Sequence, residues 1–269
     1  MERIKEAVEK ARAERGEAVP QVRPAREDAG NQESLERHVQ YSQTKVVTAR
    51  PEVMKRNGLI SAMSDDHVRS AFKILRTKVE QRMTDQGWNA CLVTSPSDPE
   101  GKTQVAINLA ISLAWSMHRT VLLVDLDLRS PSIHKRFGIE SAPGIIDYLV
   151  DDVPIKDLLF NPGIERLTVL PAGGPTERSS ELLSSPKMSH LVKDLKARYA
   201  ERLIVFDLPP ILTSDDAIAF IPSADCAVLV AEDGKTTAEE LTEASELLDG
   251  TELLGVCLNN CTTDSPFDE

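Results

Sequence analysis

From Ser64 onward, apolar runs alternate with stretches whose apolar positions recur every three or four residues. The stretch "SDDHVRSAFKILRTKVEQRM" places Val68, Ala71, Phe72, Leu75 and Val79 on one stripe behind Ser64 as N-cap, which predicts a helix. Next come "NACLVTS", "TVLLVDLD", "RLTVLPA", "RLIVFDLPP", "DCAVLVAE" and "LLGVCLN", read as strands. Helical patterns separate them: one from Gly101, short ones through Tyr148 and Leu159, then "SPKMSHLVKDLKARY", Ser214 to Phe220, and "TTAEELTEASELLD". Strands this continuously apolar are covered on both faces, so the pattern predicts an α/β fold: a mostly parallel β-sheet with helices on both faces and right-handed crossovers. There is no internal repeat.

Before Ser64 the texture differs. "MERIKEAVEKARAERG" sets Ile4, Ala7, Val8 and Ala11 on one face, with Gly16 as a stop, and reads as an amphipathic docking helix over residues 1–16. Residues 17–60 scatter Pro, Gly, Gln and charge without either period and read as a largely flexible or extended linker, with 46–60 running extended over the domain surface. The catalytic-sized unit is then 61–262, and 263–269 a short acidic tail. A chain of 269 residues, 41% hydrophobic, supports one such α/β core with an appendage.

The formal charge of −12 divides into +2 for residues 1–58 and −14 for the remainder. A core that acidic argues against nucleic acid as partner, because such binding needs clustered cations to displace counterions. No apolar run approaches the roughly 20 residues of a membrane span, and no signal peptide is read, so the expected location is cytoplasmic, peripheral at the inner membrane only through a partner. Cys91, Cys226, Cys257 and Cys261 form no CxxC pair and read as reduced thiols, which suits that compartment.

The chemistry lies in three stretches. "SPSDPEGKT" follows a predicted strand and opens a predicted helix, the context a phosphate loop needs. Backbone N–H groups near Glu100 to Thr103 and the positive helix end would hold the β-phosphate, Lys102 would reach the β and γ oxygens, and the Thr103 hydroxyl would go to Mg²⁺. Pro96 stands where the usual pattern has its first glycine, and Pro96 and Pro99 donate no N–H, so part of the loop's nest is lost. The second stretch, "VLLVDLDLRSP", sets Asp125 and Asp127 at a strand end. The third, "RLIVFDLPP", ends an apolar strand in Asp207, the form of a Walker B strand whose aspartate orients magnesium. Together they predict a P-loop NTPase-type fold with ATP and Mg²⁺ as cofactors, and a nucleotide-contact set of Pro99, Glu100, Gly101, Lys102, Thr103 and Gln104.

These stretches in this order, with "PAG" at Pro171 to Gly173 and "LLGVCLN" near the end, resemble the bacterial tyrosine kinases of capsule and exopolysaccharide biosynthesis, nearest to the exosortase-associated tyrosine autokinases. The resemblance implies an ATP-dependent protein-tyrosine kinase, autokinase-type, acting on protein tyrosines and activated by a membrane-anchored polysaccharide chain-length or co-polymerase protein. It implies further that Asp125 accepts the tyrosine proton, that Asp127 and Asp207 join Thr103 in holding the metal, and that Arg129 and Asn259 contact the nucleotide, Asn259 on the adenine side.

Three departures stand against that pattern. Asp98-Pro99 replaces the family's Pro-Gly. Ser70, Lys73 and Arg76 keep only the last arginine of its oligomerising ExxRxxR helix, which leaves the homo-oligomer open. The end "CTTDSPFDE" has no tyrosines, and of Tyr41, Tyr148 and Tyr199 only Tyr41 reads as an acceptor in a flexible arm. Two alternatives follow: a catalytically weak nucleotide-binding regulator of polysaccharide export, or a MinD/ParA-like switch ATPase. The switch ATPases carry a second lysine five positions before the loop lysine, where this chain has Ser97.

Overall fold

A computed structural model describes residues 44–116, 119–198 and 201–261. The expected helix 1–16, the tail 263–269, Tyr41 and Tyr199 lie outside them. In chain order the elements are β1 (Lys45–Val46), α1 (Pro51–Arg56), α2 (Asp66–Gln86), β2 (Ala90–Thr94), α3 (Lys102–Ala114), β3 (Thr120–Asp125), α4 (Ile133–Arg136), α5 (Ile145–Asp151), α6 (Ile155–Leu158), β4 (Phe160–Asn161), β5 (Leu167–Leu170), α7 (Ser179–Leu183), α8 (Pro186–Arg198), β6 (Arg202–Asp207), α9 (Asp215–Phe220), β7 (Cys226–Glu232), α10 (Ala238–Leu247) and β8 (Glu252–Asn259).

The eight strands form one sheet in the order β1-β4-β5-β3-β6-β2-β7-β8. Every pair is parallel except β4 with β5. Alternation splits each inner strand between two cores. Cys91, Val93, Val121, Leu123, Leu203 and Val205 face one cluster with α3, while Leu92, Leu122, Val124, Ile204 and Phe206 face the other with α8 and α9. Each such side chain contributes about 1.5–3 kcal/mol by leaving water, which is why the strands read as unbroken apolar runs. Helix α3 lies over the sheet with every residue buried but Gln104. At the far edge β8 departs from the two-sided expectation: Val256 and Leu258 are about half exposed.

Residues 44–60 are not a surface run. They hold β1 and α1, and Leu59 and Ile60 are fully buried. The Asn108 side chain of α3 secures this segment, accepting from the Ile60 N–H at 3.0 Å and donating to the Gly58 carbonyl at 2.9 Å. A polar residue buried in mid-helix is satisfied only by that segment, so the two fold as one unit. Helix α2 starts one residue later than Ser64 suggests, capped by Asp65, whose carboxylate accepts from the His67 N–H at 2.9 Å.

Candidate active site

Parallel strands bring their carboxyl ends to one edge, and strand register does the rest. Val93 pairs with Asp207, and Asp207 with Asp125, so the end of β2 that feeds the loop, Asp207 on β6 and Asp125 on β3 sit on three adjacent strands. The loop turns into α3 through Gly101, whose φ of 85° is in the left-handed region. That conformation favours glycine, and a Cβ there would meet the Asn259 amide nitrogen at 2.2 Å and push that side chain off the loop.

Lys102, the first residue of α3, is buried, with its ammonium 3.0 Å from Asp98 and 3.4 Å from Asp127. Burial alone would lower its pKa, but Asp207, Asp127 and the Asp98 hydrogen bond outweigh that and hold it above the ordinary value. Asp125 is fully buried and accepts backbone N–H bonds from Asp127, Ser132 and Ile133. Loss of water pushes its pKa up to about 7, against the lowering by the Ile133 N–H. Asp207 is fully buried too, and desolvation, reinforced by Asp125, raises it well above the carboxylate range. Its neighbours Lys102 and Thr103 favour the charged form, yet neither carboxylate oxygen has a well-formed hydrogen bond among the described residues.

Two buried orphan acceptors beside a threonine hydroxyl are what a hard cation would satisfy. Among the described residues no three acidic, histidine or cysteine side chains are close enough to hold a metal by themselves. That donor set fits Mg²⁺, which keeps waters and binds through one or two carboxylates plus substrate phosphates.

The other sequence candidates fall into place unevenly. Glu100 is buried inside the loop, accepting from the Ser97 N–H at 3.0 Å and from the Thr236 hydroxyl. The Asn259 amide donates to the Glu100 carbonyl at 2.9 Å, so β8 straps the loop. Pro99 lies in the same loop. Gln104 turns away toward the Gly58 carbonyl, at 3.5 Å. Arg129 reaches Ser179 at 2.8 Å, Asp216 at 3.0 Å and Asp215 at 3.0 Å, and so ties the loop after β3 to α7 and α9. Tyr148 is half-buried on α5 with the Lys187 ammonium 4.9 Å from its ring.

Sequence reasoning missed Asp98, which reaches Lys102 only because the loop folds back on the start of α3. It also missed Thr236, Asp215, Asp216 and Ser179, which come from distant elements and carry no local signal.

No family model matches the chain. Among curated proteins it is similar to the tyrosine-protein kinase YwqD of Bacillus subtilis, 34% identical over 190 residues covering 70% of this chain and 79% of YwqD. It is also similar to the succinoglycan biosynthesis transport protein ExoP of Rhizobium meliloti, 32% identical over 193 residues, 70% of this chain but only 24% of ExoP. Of solved structures, the VpsO kinase domain matches at TM-score 0.65 and 34% identity, covering 72% of this chain and 95% of that one. The chimerical protein CapA2B2 matches at TM-score 0.66 and 28% identity, 71% and 84%. The septum site-determining protein MinD of Pyrococcus horikoshii, complexed with Mg-ADP, matches at TM-score 0.53 and 26% identity, 62% and 68%.

Proposed function

The chain belongs to the bacterial tyrosine-protein kinases, and from that premise we propose that it transfers the γ-phosphoryl group of ATP to protein tyrosine in the control of exopolysaccharide synthesis and export. The observation that carries the reading is the convergence of Lys102, Asp125, Asp127 and Asp207 from three separate strand ends on one buried edge. Phosphoryl transfer needs positioning and charge neutralisation more than covalent help, and this edge supplies both.

In this reading the N–H groups at the start of α3 and the Lys102 ammonium hold the phosphates. Thr103, Asp127 and Asp207 hold Mg²⁺, which when bound offsets the phosphate charge. Asp125, buried and held in place by the N–H groups of Asp127, Ser132 and Ile133, is placed to accept the phenol proton. Asn259 fixes the loop from the adenine side, and Arg129 fixes the turn after Asp127 through α7 and α9. Relatives named for polysaccharide transport support a membrane-anchored chain-length protein as activator, with this chain cytoplasmic and peripheral to the membrane through it. Among the described residues no helix is long and apolar enough to cross a membrane.

A second reading, a nucleotide-binding regulator with little transfer, draws on Asp98, whose carboxylate already holds Lys102. One experiment separates the two. The purified protein is incubated with labelled ATP and Mg²⁺, with and without the cytoplasmic segment of a membrane partner, beside Lys102→Met and Asp125→Ala. Tyrosine-linked label that both substitutions abolish supports the kinase. Nucleotide binding without label supports the regulator, and hydrolysis without phosphotyrosine supports a switch ATPase.

A further inference from the structure

Beyond Asp125 and Asp127, on the side away from the phosphate loop, lies a cavity of about 520 Å³. Its walls include Ser132, His134 and Lys135 from the segment after β3, Ala142 from the loop before α5, and Gly174 and Pro175 from the loop after β5. Sheet order fixes the geometry. Along the carboxyl edge the loop of β2 comes first, then Asp207 on β6, then Asp125 on β3, then the cavity loop of β5.

Phosphoryl transfer runs roughly in line, with the incoming oxygen and the leaving ADP on opposite sides of the γ-phosphorus. With ADP seated at β2, the in-line acceptor comes from the β3 and β5 side, where the loops that line this cavity lie. We infer, on the kinase reading above, that the cavity seats the segment carrying the acceptor tyrosine, and that it selects a segment with an acidic residue beside that tyrosine.

The charge preference follows from which groups are already engaged. Arg129 is held by Asp215 and Asp216, and Glu140 on the rim pairs with Arg50 at 3.3 Å. Lys135 is exposed and has no ion-pair partner among the described residues, so it sets the sign of the cavity. His134 is buried, and its Nδ1 has no hydrogen-bond partner among the described residues. Pro131, Ala142 and Pro175 give apolar surface for an aromatic ring, so the lining combines a few polar groups with apolar walls as ligand sites do. In the reaction the phenol oxygen bonds to the γ-phosphorus as the bond to the bridging oxygen breaks. ADP leaves with that electron pair, and the phenol proton passes to the Asp125 carboxylate.

Gly174 offers a clean test, because a Cβ there meets nothing within 4 Å and its φ is not in the left-handed region. Gly174→Phe and Lys135→Glu are made in the full chain. ADP affinity is measured by titration, thermal stability confirms folding, and steady-state phosphorylation is measured on synthetic tyrosine peptides with acidic, neutral or basic flanks. Gly174→Phe is expected to raise the peptide KM by about tenfold or more with ADP affinity unchanged. Lys135→Glu is expected to move the preference from acidic to basic flanks. A folded Gly174→Phe protein with unchanged peptide KM, or a Lys135→Glu protein with unchanged flank preference, overturns the assignment. If the wild-type chain, with the partner's cytoplasmic segment present, binds ADP but labels no tyrosine peptide, the kinase reading falls, and this inference with it.

Discussion

Asp98 and Asp127 share the ammonium of Lys102, and a phosphate oxygen that takes Lys102 competes with both. Asp98 is the easier to displace, since its side chain is 63% exposed and regains water on release, whereas that of Asp127 is 9% exposed. Asp98→Asn is therefore expected to tighten ADP and ATP binding by several-fold, in keeping with the ~1 kcal/mol or less that a partly exposed pair contributes. Titration calorimetry checks it, and an unchanged or weaker affinity would show that Asp98 helps rather than competes. Asp125 gives a pH prediction of definite sign. Unfolded, it releases its proton near the ordinary aspartate value of 3.8, but folded it holds the proton up to about 7. Between those values the native state binds more protons than the unfolded one, so this group's contribution to stability falls as pH rises and is lowest above about 7. Asp125→Asn should flatten the decline in denaturation midpoint between about pH 4 and pH 7. A decline as steep as the wild type's would place its origin elsewhere, with Asp207 the next group to test.

The segment holding β1 and α1 shows what one element does for another. Ile60 is fully buried, and its N–H is taken by Asn108 of the central helix. Ile60→Ala should cost about 2–5 kcal/mol through the cavity it leaves. Asn108→Ala, which strands the Ile60 N–H and leaves the Gly58 carbonyl only the long contact from Gln104, should cost about 1–3 kcal/mol. Urea unfolding measures both, and a loss near zero for either would mean that this segment is held from elsewhere. The same segment marks where sequence reading ended. Its apolar residues are too few and too irregular for either period, and its order comes from docking on α3. By contrast β2, β3, β6 and β7 were legible because burial on both faces demands unbroken apolar runs, and the ends of β3 and β6 were legible because aspartate closes such a run only with a reason. The two-residue strands β1 and β4 leave no pattern, and β8 reads like its neighbours while lying at the sheet edge with Val256 and Leu258 outward. At the site the loop lysine and the three aspartates could be found by motif. The Arg129 contacts to Asp215, Asp216 and Ser179 span up to 87 residues, and only the fold brings them together.

At the scale of the whole domain, these features tie nucleotide binding to stability and pH at once. A buried edge with Asp125 and Asp207 both raised by loss of water is a place where deprotonation works against the folded state. A divalent ion and phosphates gathered by Lys102 would reverse that, because the cation favours the charged carboxylates and leaves the native state without its extra protons. With ligand about a hundredfold above its Kd, binding to the native state alone adds about 2.7 kcal/mol. For a domain of this size that amounts to roughly 5–10 °C in Tm. The shift produced by a fixed concentration of Mg-ADP is expected to be larger at pH 8 than at pH 6, the opposite of what a simple loss of histidine or lysine charge would give. Lys102→Met should abolish the shift at both pH values, whereas Asp207→Asn should leave some binding of ADP without magnesium but remove the magnesium-dependent part. Differential scanning fluorimetry over that grid is decisive: a Mg-ADP shift that is equal at the two pH values, or that survives in Lys102→Met, would separate nucleotide binding from this acidic edge.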